Sequence, residues 1–197
     1  LRGNRFRALE QQRLEKLLHE WIDSEKQREP FEVANLESGA SIKFGDLTIS
    51  LRLDRIDQIG DKRLIIDYKT GQVQPSKWSG LRPSEPQLPL YLLASKPQAN
   101  GCAFAQLRAG DIKFIGNSDS QLLSREKPAD NWLEQIEQWQ SALSNLATEF
   151  CQGYSSVEVH HSGSFSFQDH LLPLNRWPEE SEINASLNIS SAEKEHS

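Results

Sequence analysis

The sequence has few of the residues that define disulfide-rich, iron–sulfur or membrane-spanning proteins. Its two cysteines, Cys102 and Cys151, are far apart and fall short of the four thiolates that an iron–sulfur cluster requires, so we expect no cluster. Two lone thiols without a signal peptide fit a reducing compartment, so we expect a cytoplasmic protein. No apolar run approaches the roughly 20 residues that cross a bilayer, which excludes a membrane span.

Methionine is absent altogether, even at the first position, which is Leu1. This favours a fragment of a longer polypeptide, and we expect an N-terminal part to be missing. The 197 residues suffice for one domain with a well-buried core. We predict that residues 1–177 form this domain and that 178–197, with five Glu against one Lys, form a disordered acidic tail.

Positive charge is also scarce, because the formal net charge is −6. One segment, 52–82, reverses the balance, with seven Lys or Arg against four Asp and no Glu. Contacts to phosphates need such local positive charge. The segment therefore suggests a surface for nucleic acid, although a solvated hairpin edge has the same composition.

Two neighbouring predicted strands carry the acidic residues of most interest. Apolar and polar residues alternate along 47–54, which ends in Asp54, and the apolar strand 64–71 contains Asp67 and Lys69. A Gly-Asp turn signal separates the two strands, so we expect an antiparallel hairpin that brings the two aspartates together. Residues two apart share a strand face, which places the lysine beside Asp67.

Two carboxylates and an ammonium suit phosphodiester hydrolysis with a divalent metal. Mg²⁺ and Mn²⁺ take carboxylate oxygens and keep several waters, and such a metal lowers the pKa of a bound water. A nearby ammonium orients that water or offsets the developing negative charge. The alternative is a surface hairpin with scattered charges, but Ile65 and Ile66 make the second strand apolar on both faces, which favours burial.

Amphipathic patterns predict three helices around this sheet. Two long ones, 5–27 and 130–151, have apolar stripes that we expect to pack on the core. A shorter helix over 86–95 places Gln87 and Tyr91 on one face, because positions four apart are neighbours. The alternative for this pair is a capping glutamine and a core aromatic.

The stretch from Leu47 to Tyr91 resembles the nuclease domain of RecB-type proteins in the PD-(D/E)XK superfamily, and in particular the C-terminal nuclease region of AddB-like bacterial DNA repair proteins. The matching elements are Asp54, the Asp-Tyr-Lys-Thr-Gly run that begins at Asp67, and a Gln-x-x-x-Tyr element, 87–91. The resemblance implies an α/β (α+β) fold, with a mixed sheet of about five strands flanked by helices around a restriction-endonuclease-like core. It also implies a metal-dependent DNA nuclease of DNA repair or recombination. DNA is the expected partner, with either a helicase subunit or the missing N-terminal part of the same protein as a second one.

Carried over by position, the resemblance gives each motif residue a role. Asp54 and Asp67 bind Mg²⁺, which Mn²⁺ replaces, and Lys69 is catalytic. Gln87 and Tyr91 support the site or contact DNA.

Further site residues are expected beside these motifs. An acid often precedes the hairpin in families of this type, and Glu37, at the predicted end of a strand at Ser38-Gly39, is a better candidate for a catalytic third acid than Glu32. The alternative is a solvated strand end. The remaining predicted DNA contacts are basic or aromatic residues of 52–82: Arg52, Lys77, Trp78 and Arg82. A loop tryptophan tucked against the fold is the alternative for Trp78.

One feature departs from the family pattern. RecB-type domains carry a metal-binding histidine on a helix well before the hairpin, and the only upstream histidine here is His19. Its helix directly precedes the first strand, so we expect a helix-surface residue rather than a ligand. The departure supports an alternative function, a catalytically silent module that binds DNA or docks to a helicase.

Overall fold

A five-stranded mixed sheet forms the centre of the computed structural model, which describes residues 2–123 and 127–154. The elements in chain order are α1 (Arg2–Glu25), β1 (Glu32–Phe44), β2 (Leu47–Ile59), β3 (Lys62–Lys69), a short 3₁₀ helix (Pro75–Trp78), α2 (Gln87–Ala94), β4 (Gly101–Gln106), β5 (Lys113–Ser118) and α3 (Trp132–Cys151). The predicted fold class, an α/β protein with a restriction-endonuclease-like core, is confirmed.

The strands lie side by side in chain order, and only β3 and β4 run parallel. A parallel pair needs a crossover, which the 3₁₀ helix and α2 supply. The antiparallel pairs of β1, β2 and β3 are joined by tight turns in which Gly45 and Gly60 have φ values of 56° and 59°. Glycine suits both turns because it adopts positive φ without a steric penalty.

The sheet is buried on both faces around β3, as its apolar sequence predicts. Ile65 packs into a cluster with residues of α2 and α3, among them Leu88 and Trp139. Its neighbour Ile66 packs on the opposite face, in a cluster that includes Trp21 of α1. Helices therefore cover both faces, and this burial holds the end of β3 in place.

The first strand is longer than predicted. Instead of ending at Ser38-Gly39, β1 continues to Phe44 and pairs with β2 along almost its whole length. The ladder satisfies the backbone groups of both strands, and this outweighs the turn signal of Ser38-Gly39.

The apolar stripe of α1 is not core, contrary to the prediction. Trp21 is buried at 9% exposure, but Phe6, Leu9, Leu14, Leu18 and Ile22 are exposed by 69%, 58%, 44%, 55% and 48%. Among the apolar residues of α1, Trp21 is the one that joins a core cluster. The sheet therefore covers the C-terminal part of the helix and leaves the rest of the stripe open.

The elements above all belong to the first of two compact units, Leu1–Cys151, and the second is Gln152–Ser197. The predicted boundary at residue 177 and the predicted acidic tail 178–197 lie outside the described residues. Across residues 2–123 and 127–154, none of the helices has the length and apolar character to span a bilayer. Both cysteines are free, and burial raises the pKa of the Cys102 thiol to about 12.

Candidate active site

The candidate site lies where β2 and β3 cease to pair. Their ladder extends to the pair Arg55 and Ile66. Beyond it, the Asp54 carboxylate accepts a hydrogen bond of 3.1 Å from the backbone N–H of Tyr68. The Asp54 side chain thus connects β2 to β3 where their backbone pairing ends. The structure brings Asp54 next to Asp67, as the hairpin predicts.

The strict alternation predicted for β2 also ends here. Leu53 and Ile56 are three residues apart, yet both belong to the cluster that packs on α2. A regular strand would turn them to opposite faces. The strand therefore changes its orientation between these residues, which is where Asp54 lies.

Gln87 connects three side chains of the site through three hydrogen bonds. Its Nε2 donates to Asp67 Oδ1 and to Tyr91 Oη, both at 2.7 Å. Its Oε1 accepts from Lys69 Nζ at 2.5 Å. The first and fifth residues of α2 thus face the end of β3 together, so the structure brings together the predicted pair and the two strand residues.

Asp67 is buried, at 2% exposure, and one of its oxygens is held by an ion pair. Oδ2 lies 2.8 Å from Lys69 Nζ, and among the described residues it has no hydrogen-bond partner beyond this contact. Burial raises the pKa of Asp67, the Lys69 ammonium lowers it, and Asp54 raises it again, with a net upward shift. The site holds more negative charge than its lysine balances.

A cleft of about 450 Å³ opens beside Lys69. Gln87, Glu85 and Phe104 are among its lining residues, and the Lys69 side chain is 35% exposed. The Lys69 ammonium lies 5.0 Å from the centre of the Phe104 ring, within cation–π distance. A phosphate group in the cleft would thus meet the ammonium.

The two aspartates fit a hard divalent cation. Mg²⁺ is commonly held by one or two carboxylates and keeps several waters. Asp54 and Asp67 would supply these carboxylates, and Asp67 Oδ2 already faces one cation, the Lys69 ammonium. Within residues 2–123 and 127–154, however, no group of three or more His, Cys, Asp or Glu is close enough to hold a metal.

The predicted third acid is not part of this group. Glu37 lies between the pairs Leu36–Arg55 and Ser38–Leu53, which places its backbone opposite Asp54. It has a positive φ of 50°, uncommon for a residue with a side chain. Its carboxylate contacts Arg52 at 2.5 Å, and the two side chains are 57% and 72% exposed. The prediction of a catalytic role for Glu37 therefore has no support in this geometry.

The predicted basic surface is largely neutralised. Besides Arg52, which pairs with Glu37, Lys77 pairs with Glu85 at 2.8 Å and Arg82 with Glu149 at 2.5 Å. Each predicted DNA-contacting cation thus has its own carboxylate. Nucleic acid would have to displace these ion pairs, which argues against this segment as the main phosphate contact.

Trp78 lies in the core rather than on the surface. Its side chain is 3% exposed, and its ring lies 5.5 Å from that of Phe104. Its carbonyl accepts a hydrogen bond of 2.9 Å from Trp139 Nε1. The indole is therefore inaccessible to a base in this conformation, and its burial agrees with the alternative of a loop tryptophan tucked against the fold.

The opposite face of β3 carries a second cluster of charges. We call Glu25, Arg28, Arg55, Asp57 and Tyr68 the paired cluster. Arg55 donates to both Asp57 oxygens, at 2.6 and 3.0 Å, to Tyr68 Oη at 2.9 Å, and to both Glu25 oxygens, at 3.2 and 3.1 Å. Burial lowers the pKa of Arg55, but the bonds to Asp57 and Tyr68 outweigh it, so the net shift is upward.

Arg28 completes the paired cluster. Its Nη1 donates to Glu25 at 3.0 Å, and its Nη2 lies 2.8 Å from Asp57 Oδ2. The guanidinium also lies 4.2 Å from the centre of the Phe31 ring and 4.8 Å from that of Phe114. Arg28 was not predicted from the sequence. The available signal was the Arg-x-Asp pair of Arg55 and Asp57 on one strand face, because such a pair requires further partners when it is buried.

The upstream histidine lies outside both clusters. His19 is an exposed residue of α1, and its Nδ1 is 2.7 Å from the Glu15 carbonyl of the same helix. It is therefore a helix-surface residue, as predicted.

Comparisons with known proteins identify the chain at the level of a family. The family model described as the PD-(D/E)XK nuclease superfamily matches residues 3–162, more than half of the chain. A solved structure described as "Crystal structure of SSO0001" matches with 16% identity and a TM-score of 0.38, covering 74% of this chain. The chain spans 61% of that structure, a likeness too weak to carry an argument about function. No curated protein sequence matches the chain.

Proposed function

Because the chain belongs to the PD-(D/E)XK nuclease superfamily, we propose that it is a Mg²⁺-dependent deoxyribonuclease of RecB type. The superfamily implies a hydrolase of nucleic-acid phosphodiesters that uses divalent metal ions. The narrower proposal adds DNA repair or recombination as the process and a helicase subunit as a partner. It rests on Asp54, the Asp67–Gly71 run and the Gln87–Tyr91 element.

In this proposal Asp54 and Asp67 hold the metal. Such an ion, when bound, lowers the pKa of a coordinated water and offsets charge on a phosphate oxygen. The observation that carries the proposal is that Asp54 and the buried Asp67 lie together at the end of β3, where one ammonium, Lys69, pairs with Asp67. Two neighbouring carboxylates with one ammonium hold excess negative charge, and a divalent cation would offset it.

Lys69 offsets the negative charge that develops on the phosphate during attack by water. Gln87 is a positioning residue, because it holds the Lys69 ammonium and the Asp67 carboxylate at once. Tyr91 is 6% exposed and accepts from Gln87, so it orients the amide rather than contacting DNA directly.

The second function to test is the catalytically silent module. One observation favours it: within the described residues, no third His, Cys, Asp or Glu joins the two aspartates. A site with two carboxylates leaves more positions to water and binds a metal more weakly than one with three. A silent module would bind DNA or dock to the helicase and show no metal-dependent cleavage.

The test is degradation of DNA with Mg²⁺, Mn²⁺ or EDTA, for the parent protein and Lys69→Ala. Loss of one group that stabilises transition-state charge typically costs about 10²–10³-fold in rate, and we expect a loss of this order. Lys62→Ala is the matched control, because Lys62 lies on the same strand, pairs with Asp119 at 3.0 Å and is 33% exposed. It should cleave DNA like the parent protein.

Three outcomes separate the two functions. Metal-dependent cleavage that Lys69→Ala abolishes supports the enzyme. Equal cleavage by Lys69→Ala and the parent protein would show that the lysine has no catalytic role. Mn²⁺ binding by calorimetry without any cleavage would support the silent module instead.

A further inference from the structure

Two clefts at the C-terminal end of α2 have no acidic residue in their lining, within the part of the chain that the structure describes. The clefts, of about 790 and 350 Å³, meet there and share Ser41, Ser95 and Lys96. The larger lies between the β1–β2 turn, the segment after α2 and one face of α3. Neither cleft is lined by Asp or Glu, although the chain has 28 acidic residues against 22 basic ones. We call this region the acid-free surface.

Three cations line the acid-free surface, and none has a carboxylate partner among the described residues. Lys43 lines the larger cleft, Arg63 the smaller one and Lys96 both. Among residues 2–123 and 127–154, no carboxylate lies within the 4.0 Å of an ion pair from any of them. Arg63 Nη1 donates instead to the Pro97 carbonyl at 2.9 Å. The cations predicted to contact DNA near the site, Arg52, Lys77 and Arg82, are by contrast all ion-paired.

The rest of the larger cleft is uncharged and mixes apolar with polar side chains. Ile42, Phe44 and Leu93 are apolar, while Gln98 and Gln140 contribute amides. Ser144 and Thr148 contribute hydroxyls from one face of α3. Amides, hydroxyls and lysines are among the groups that hydrogen-bond to phosphate and sugar oxygens of nucleic acids, so the polar side of the cleft fits a phosphodiester backbone.

Helix α2 sets the distance between the acid-free surface and the candidate site. Gln87 begins the helix at the site, and Ser95 caps its other end on the acid-free surface. Eight helical residues span about 12 Å at 1.5 Å each. This equals roughly three to four nucleotides of a stacked strand at about 3.4 Å each.

We propose that the acid-free surface binds the sugar–phosphate backbone of a nucleic-acid strand three to four nucleotides, by this estimate, from the phosphate at the candidate site. This proposal deepens the proposed nuclease function and rests on it for the position of the strand. Lys96 alone has another explanation, because a cation after a helix complements the C-terminal end of the helix dipole. Lys43 belongs to β1, so the dipole does not account for it.

The test measures binding of fluorescein-labelled single-stranded DNA to Lys43→Ala/Lys96→Ala by anisotropy, in EDTA, over a range of salt concentrations. Each phosphate contact contributes about 0.7 to the slope of log K against log salt for single strands. Loss of two contacts should reduce that slope by about 1.4 and weaken binding at low salt. Both lysines are exposed, so the fold should be retained, which circular dichroism checks.

Lys16→Ala/Lys26→Ala is the matched control, because it also removes two positive charges, from exposed side chains of α1 and the residue after it. It should leave the slope unchanged. Equal slopes for the parent and the Lys43/Lys96 variant, an equal drop in both double variants, or no DNA binding by the parent would each overturn the proposal.

Oligonucleotides of increasing length add a second arm. A short strand contacts one of the two regions at a time, so the difference in affinity between the parent and the Lys43/Lys96 variant should grow once the strand is long enough to reach both. A difference that does not grow with length, together with equal competition by inorganic phosphate at every length, would indicate a small-anion site instead.

Failure of the nuclease function has a different signature. Because binding is measured in EDTA, it requires no cleavage. A parent protein that binds through these lysines yet never cleaves DNA would contradict the nuclease and leave the acid-free surface supported. If the parent cleaves DNA but the salt slope is unchanged in the Lys43/Lys96 variant, the nuclease function is supported and the acid-free surface is not.

Discussion

The two faces of β3 hold two charged clusters of opposite character. In the paired cluster two arginines meet two carboxylates, so the formal charges balance, and Asp57 is fully buried. In the candidate site two carboxylates lie together and one ammonium, Lys69, pairs with Asp67, so the formal charges do not balance. Asp67 and Lys69 of β3 belong to the candidate site, and Tyr68 between them belongs to the paired cluster.

This difference in charge balance distinguishes the two clusters. A buried charge is tolerated when a partner compensates for the loss of water. The paired cluster compensates internally, and it fastens the end of α1 to the sheet through Glu25. The candidate site does not, so its excess negative charge is retained at a cost in stability, as is common where residues serve function.

Asp57→Asn should have the largest effect on stability. It removes the charge that opposes Arg55 and Arg28, and removal of one partner from a buried ion pair typically costs about 3–5 kcal/mol. For a chain of this size that lowers the melting temperature by roughly 10 °C. Thermal unfolding followed by circular dichroism measures the change.

The control is Asp61→Asn, in the exposed turn between β2 and β3. It should leave the melting temperature within about 1–2 °C of the parent, as surface substitutions usually do. Similar shifts for the two variants would mean that the paired cluster does not stabilise the fold.

Asp67→Asn should have the opposite effect on stability when metal is absent. Burial raises the pKa of Asp67 in the folded protein, and Asp54 adds to the rise, so ionisation of Asp67 opposes folding. Stability is therefore lost as pH rises from the unfolded pKa, about 3.9, through the raised folded pKa, and the loss persists at neutral pH. Because asparagine does not ionise, the variant should melt higher than the parent in EDTA.

The pH dependence and metal binding sharpen this prediction. The advantage of Asp67→Asn should shrink as pH falls below the folded pKa, where the parent carboxyl is neutral too. Mn²⁺ should stabilise the parent more than the variant, because ligand binding to the folded state raises stability by mass action. A variant that melts lower in EDTA, or binds Mn²⁺ as tightly by calorimetry, would contradict this account of Asp67.

The arrangement of the site was largely predictable because it depends on periodicity. Residues two apart on a strand and four apart on a helix share a face, which was enough to group Asp67 with Lys69 and Gln87 with Tyr91. The hairpin then placed Asp54 beside Asp67. These relations hold wherever a strand and a helix form, so they need no knowledge of long-range packing.

Charge pairing across the fold was not predictable from local pattern. Arg82 and Glu149 are 67 residues apart, and Arg55 and Glu25 are 30 apart, so only the folded chain reveals these pairs. The basic composition of 52–82 therefore predicted available cations, although Arg52, Lys77 and Arg82 are ion-paired in the folded chain. The burial of Trp78 was unpredictable for the same reason, because a loop residue is exposed or buried according to which helix packs over it.

Two Tyr→Phe variants give the smallest and most specific comparison. Tyr68→Phe removes the hydroxyl that accepts from Arg55 at 2.9 Å, while Arg55 keeps Asp57 and Glu25. The loss of one such hydrogen bond costs about 0.5–1.5 kcal/mol of stability. The contact of Tyr68 with Asp54 uses the backbone N–H, so cleavage and Mn²⁺ binding should persist.

Tyr91→Phe makes the same chemical change on the other face of the sheet. It removes the acceptor of Gln87 Nε2, and a Gln87 amide that is free to rotate holds Lys69 and Asp67 less well. Loss of a supporting residue around a metal site typically costs about 10–100-fold in affinity or activity, so Tyr91→Phe should reduce cleavage more than Tyr68→Phe does. If Tyr68→Phe reduced cleavage as much, the two clusters would act as one, and the separation of structural from functional charge across β3 would be wrong.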